Sequence, residues 1–186
     1  AEQENWNAEA TGIDESVSGV IVADNGQEIL ILSYASICED AKEWCVTFSD
    51  KSEYKASLKK KDKNSGFAIF AVDKKSLSDA TWSASSVASL GNSNLTEQGD
   101  VIFALGNIFG YAGGSGYGIV SSSNYKEIGR DGEYSVIATD MSSASDGTGI
   151  LFNLDGEVIG MISSDIWKDR GIRTANAYAI SDLKLV

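Results

Sequence analysis

Ser145 and Thr148 bracket the pair Asp146–Gly147 in a stretch rich in hydroxyls and glycine that runs from Thr139 to Gly149. Hydroxyls in such a loop are candidates for nucleophilic acyl transfer. A Ser or Thr hydroxyl attacks only when a base takes its proton, and histidine is the usual base. The chain has 0 His in 186 residues. Lysine serves as the base in some hydrolases, but no Lys stands near these hydroxyls in sequence. Cys38 and Cys45 are the other reactive pair. Without His, a zinc site would need carboxylates, and the Cys spacing fits no common zinc motif, so no metal and no cofactor are expected. An even count permits one local disulfide in an oxidising compartment. Two separate core thiols remain the alternative, and no neighbouring cation or base marks either as a reactive thiol.

These residues sit in an acidic chain. Net charge is −12, with 42% hydrophobic and 23% charged residues, the balance of an ordinary soluble globular domain. The first 50 residues hold eleven Asp or Glu and one Lys; residues 51–75 hold eight Lys and three acids. A nucleic-acid partner needs a clustered basic surface, which this chain lacks. Its one basic run, Lys59 to Lys63, reads as a solvated connection between strands, with a docking patch for an anionic partner as the alternative. No run approaches 18 apolar residues, and the start has neither the basic nor the apolar region of a signal peptide.

The elements that must position the hydroxyl loop read as short strands. Val17–Val22 and Glu28–Ser33 flank Asn25–Gly26, a hairpin signal. Glu53–Leu58 alternates polar and apolar residues as a half-buried strand does, and Phe67–Val72 reads as a buried strand. The Ser-rich stretch 74–88 reads as a linker. Strand-like runs follow at 100–106, 115–121, 133–139, 149–154, 157–164 and 175–181. Short strands at such spacing predict an all-β barrel or sandwich. The domain reading is an N-terminal extension (1–15), a first β-barrel (16–75), a linker (76–88) and a second β-barrel (89–186). Trp6, Trp44, Trp82 and Trp167 read as core or barrel-edge fillers.

Several segments, taken in order, carry a family resemblance. They are Ser18–Val22 with Asn25–Gly26, Val46–Ala56, Leu90–Gly110, Ser115–Ser121, Thr139–Gly160 and Ala177–Ser181. Together the chain resembles the HtrA (DegP-like) family of trypsin-like serine proteases over roughly Val17 to Leu183. The resemblance implies two antiparallel six-stranded β-barrels with a site in the cleft between them. It places the base position at Tyr34, the orienting-carboxylate position at Gly66 and the nucleophile position at Gly147. The oxyanion loop falls on Ser145, Asp146 and Gly147. A phenol with a pKa near 10 is a poor base at neutral pH. Asp140 reads as a structural acceptor, with a place in the specificity pocket as the alternative.

The resemblance, with all three positions substituted, leads to the expectation that the chain is no enzyme but a pseudoprotease. Its role would be to bind a peptide or protein partner in regulation or sensing. In this fold an extended peptide adds a strand beside Met161, Ile162, Ser163, Ser164 and Asp165. Two alternatives stand: an ectodomain spacer of a membrane-anchored protein, and a serine endopeptidase with a displaced nucleophile drawn from Ser145 or Thr148. The resemblance also implies an extracytoplasmic bacterial setting, a membrane tether outside this stretch and a following PDZ domain. An oxidising setting of that kind supports the Cys38–Cys45 bridge.

Overall fold

The computed structural model describes residues 16–38, 41–62, 65–129 and 132–183. Among the described residues, eleven strands carry the fold. In the N-terminal half β1 (Val20–Asp24), β2 (Glu28–Tyr34), β3 (Trp44–Thr47), β4 (Glu53–Lys61) and β5 (Phe67–Asp73) form an antiparallel sheet of order β1-β2-β5-β4-β3. The near-continuous apolar runs of β2 and β5 take its centre, paired from Glu28–Asp73 to Tyr34–Phe67. β4 keeps the predicted alternation toward the edge. The β1–β2 turn has the predicted chemistry: Asn25 Oδ1 accepts the N–H groups of Gln27 and Glu28 at 2.9 and 2.7 Å, and Gly26 supplies a φ of 87°.

The C-terminal half closes. Strands β6 (Val101–Gly106), β7 (Gly114–Gly129), β8 (Gly132–Ser142), β9 (Gly149–Phe152), β10 (Val158–Ile162) and β11 (Thr174–Ala179) form a barrel of order β10-β11-β8-β7-β6-β9. The all-β class therefore holds, and the second half is the expected six-stranded barrel. The first half differs, being an open five-stranded sheet among the described residues. The polar run Ser121 to Asn124 hides the length of the β7–β8 hairpin, because pairing passes through it by bulges between Val120 and Tyr125. The four residues Val120, Ile137, Leu151 and Ile162 sit in the barrel core. A second core lies between the halves, where Leu32, Tyr34 and Phe67 meet Ile150, Met161 and Ile180.

The connection between the halves is ordered. It holds one short helix, α1 (Asp79–Ser83), capped by the Ser78 side chain, which accepts the Thr81 N–H. The Thr81 hydroxyl donates to Asp50 Oδ2 at 2.7 Å and lies 3.0 Å from the Tyr54 hydroxyl and 2.8 Å from Ser78 Oγ. Its one hydrogen goes to the carboxylate, so Tyr54 and Ser78 donate to its lone pairs. This ties α1 to the β3–β4 turn. Farther on, the Ala88 N–H donates to Ile21 O, while Ser89 O accepts the Val158 N–H and the Gly91 N–H donates to Val158 O, each at 2.8 Å. Residues 88–91 thus pair with both halves. The segment 1–15 lies outside the described residues. Thr81→Val keeps the volume and removes the shared hydroxyl; urea unfolding should show a loss of about 1–3 kcal/mol, and an unchanged midpoint would show that the network contributes nothing.

Candidate functional site

Tyr34 ends β2 with its ring in the core between the halves, 5.4 Å from the Phe67 ring. Its hydroxyl accepts the Gly149 N–H at 2.9 Å and faces two carbonyls, Gly149 O at 2.8 Å and Ile162 O. Gly149 and Ile162 are partners in the β9–β10 ladder. One phenolic hydrogen serves one carbonyl at a time. Burial pushes the Tyr34 phenol far above its ordinary range, so it stays protonated and cannot act as a base. Gly66 lies beside it: the Gly66 carbonyl accepts the Ala35 N–H at 2.8 Å, and Gly66 turns into β5 with a φ of 76°. Gly147 is two residues before the glycine that Tyr34 grips. Bonds thus link Gly66, through Ala35, and Tyr34 to Gly149, two residues past Gly147.

Gly147 is buried and crowded. A Cβ added there would lie 2.6 Å from Ile108 O and closer still to Ser143 Oγ. The Ser143 hydroxyl therefore occupies the space into which a side chain at 147 would project. It lies 3.1 Å from Ala144 O and 3.3 Å from Ile108 O. The Gly147 N–H is turned inward to Ala144 O at 3.1 Å, and the Thr148 N–H faces Asn107 O at 3.4 Å. Ser145 and Asp146 form the exposed tip of the turn.

The proposed docking strand needs correction. Met161 and Ile162 are fully covered, with Ile162 paired to Gly149 on one side and Ala177 on the other. A strand with both edges used accepts no third partner. Ser163 also donates its N–H to Asn176 O. Past it the chain turns: Ser163 O accepts the Ile166 N–H, Asp165 O accepts the Lys168 N–H, and the Asp165 N–H donates to Ser163 Oγ. Met161 and Ile162 offer no free edge; Ser163 bonds both to Asn176 and to its own loop, and Asp165 bonds within the loop. Asp140 is a structural acceptor on β8, taking the Ile119 N–H at 2.8 Å.

A cleft of about 160 Å³ opens beside this turn, lined by Ser143–Ser145, by Ser163, Ser164 and Ile166, and by Lys168 and Gly171–Thr174. Ser143 N–H donates to Arg173 O at 2.9 Å, which fastens two of its walls. Ser143, Lys168 and Arg173 escaped the sequence reading. The motif comparison pointed at Gly147, and the loop at 166–173 carries no motif; two cations close together in so acidic a chain were the available signal. Among the described residues no three His, Cys, Asp or Glu cluster to hold a metal.

Cys38 and Cys45 are free thiols, against the expected bridge. Cys38 packs with Ile37, Trp44 and Phe70. Trp44 precedes Cys45 on β3, so strand alternation sends Cys45 to the opposite, exposed face. Trp44 and Trp82 pack against core clusters, whereas Trp167 stands at the surface against Tyr125, with ring centroids 5.0 Å apart. Trp6 lies outside the described residues.

The fold agrees with what the chain matches. Residues 17–161 fit the trypsin-like peptidase domain. The chain belongs to the trypsin-like peptidases. It is 33% identical over 164 residues to a probable periplasmic serine endoprotease, DegP-like, of Pseudomonas savastanoi pv. phaseolicola. It is 34% identical over 164 residues to the protein so named from Halomonas elongata. Each match covers 88% of this chain and 32% of the relative, so the chain spans about a third of those proteins. In fold it is similar to a structure described as the HtrA-type protease AlgW with decapeptide, with a TM-score of 0.66 and 23% identity over 88% of this chain and 47% of that one. These relatives overturn the expectation that the chain is no enzyme: its matches are named serine endoproteases, and the triad substitutions read from motifs do not outweigh that membership.

Two outcomes follow from the geometry. Tyr34→Phe strips the Gly149 N–H of its partner, and chemical denaturation should show about 1–3 kcal/mol lost. The folded phenol holds its proton more tightly than the unfolded one. Its contribution is fully present below pH ~10, the ordinary phenol value, and declines as pH rises above it. Burial also raises Tyr178, so the variant should show a shallower alkaline decline, not none. An identical slope in both proteins would contradict this. Gly147→Ser should lose about 1–3 kcal/mol through overpacking against Ile108 O; a variant as stable as the parent would mean that the loop yields freely.

Proposed function

We propose that this domain engages polypeptide in the cleft between the Ser143–Thr148 loop and the Ser163–Thr174 segment. The cleft itself carries the reading. It lies against the crowded Gly147 position, is lined by hydroxyls and a buried isoleucine, and is too small for a drug-sized ligand but suited to one side chain. An open cleft favours engagement of a partner over a spacer role. The naming of solved neighbours as complexes with a decapeptide and a tripeptide supports a peptide as the class of partner. An extracytoplasmic setting accords with relatives named periplasmic. The test is fluorescence anisotropy with labelled unstructured peptides. Ser164→Trp, which fills the cleft, should weaken binding by about tenfold or more; equal affinity in parent and variant would overturn the reading.

A second reading, hydrolysis by a displaced nucleophile, is favoured by one observation: the Ser143 hydroxyl stands where a side chain at Gly147 would project. A fluorophosphonate probe separates the two. Labelling lost in Ser143→Ala and kept in Ser145→Ala supports hydrolysis through Ser143, and an unlabelled parent removes it.

A further inference from the structure

Several cations of this chain are matched to acids. Lys55 pairs with Glu43 and Lys59 with Glu28 at 2.8 Å, Lys126 pairs with Glu133 at 2.9 Å, and Lys74 pairs with Asp24. The cations at the cleft are matched less closely. Arg173 is exposed and makes no ion pair with any described residue. Lys168 meets Asp165 only loosely, at 3.7 Å, with both side chains largely in solvent. No Asp or Glu lines the cleft. The acids close in sequence are Asp146 on the neighbouring turn, Asp165 facing Lys168, and Asp169, all exposed. A chain of net charge −12 thus concentrates two cations and a set of hydroxyl donors on a space sized for one side chain.

We propose that this cleft selects a carboxylate: the side chain of an acidic residue, or a C-terminus, of the polypeptide it engages. The proposal rests on the polypeptide reading above and adds the chemical class. Guanidinium matches a carboxylate with two parallel N–H donors, and the pair is stronger where the site is partly closed from water. Ser145 and Ser163 can donate to the remaining lone pairs. Ile166, 4% exposed, offers an apolar surface for the methylenes that carry the charge. A lysine side chain would face like charges and find no acid among the lining residues, so discrimination comes from repulsion as well as attraction.

The experiment compares four labelled decapeptides of one sequence with Glu, Gln, Lys or Leu at the central position, each with a free and an amidated C-terminus. Affinities are read by anisotropy at low and high salt for the parent and for Arg173→Gln. The substitution keeps the Arg173 carbonyl that holds the Ser143 N–H, so the walls remain fastened. The Glu peptide should bind about tenfold tighter than its Gln isostere at low salt, less so at high salt. Arg173→Gln should erase that gap, weakening the Glu peptide about tenfold more than the Gln peptide. If amidation alone removes the advantage, the carboxylate recognised is the C-terminus. Equal binding of all peptides overturns the carboxylate preference and leaves the polypeptide reading intact. Failure of every peptide to bind overturns that reading and this proposal with it.

Discussion

The Tyr34 hydroxyl spans the boundary between the open sheet and the barrel, and the arrangement around the cleft follows from where it ends. Its oxygen meets the peptide groups of Gly149 and Ile162, which face each other at the end of the β9–β10 ladder. Buried peptide groups need partners, and a phenol reaching from the other half supplies one. The contact fixes β2 against the barrel, which sets Gly66 through Ala35 and places the loop at 143–148 over the boundary. It also fixes where β10 ends, and so where the chain must turn into the loop that forms the far wall of the cleft. Apolar packing of Leu32 and Phe67 against Ile150 and Met161 supplies area, and the hydroxyl supplies the register that area alone does not specify.

Much of the fold was legible because strands in this chain announce themselves. Phe67–Val72 and Glu28–Ser33 are nearly continuous apolar runs, and they became the sheet's two central strands. Asn25–Gly26 marked its hairpin through conformational needs that few other residues meet. The β7–β8 hairpin was read too short because Ser121, Ser122 and Ser123 show neither period. Their pairing is enforced by the strands on either side, which sequence alternation does not report. The link at 74–88 looked structureless because its order comes from distant partners, Asp50 and Tyr54, that meet Thr81 only in the folded chain.

The site was legible in position and not in content. Ordered motifs led to Tyr34, Gly66 and Gly147; the structure joins the first two by neighbouring backbone bonds and sets Tyr34 on Gly149, two residues past the third. What fills the space around them was hidden, because occupancy is decided by packing. Ser143 enters the room beside Gly147 from four residues away, and Arg173 reaches the cleft by a backbone bond to Ser143. Spacing rules also overreached at Met161 and Ile162, where a motif marks a strand but not which of its edges is free. Membership of a peptidase family, with no histidine in the chain, makes the local hydroxyls and cations the residues on which any chemistry here must be argued.

The double attachment of residues 88–91 has a mechanical consequence. A segment bonded to Ile21 on one side and Val158 on the other cannot serve as a hinge, because bending it breaks ladder bonds in both halves at once. The two halves must then melt as one cooperative body. Between its anchored ends at Ser163 and Arg173, the turn holds only local backbone bonds among the described residues, so local opening of the cleft wall is easiest there. Adaptation of the cleft to what enters it is thereby a property of one loop, and the rest of the molecule acts as its rigid frame.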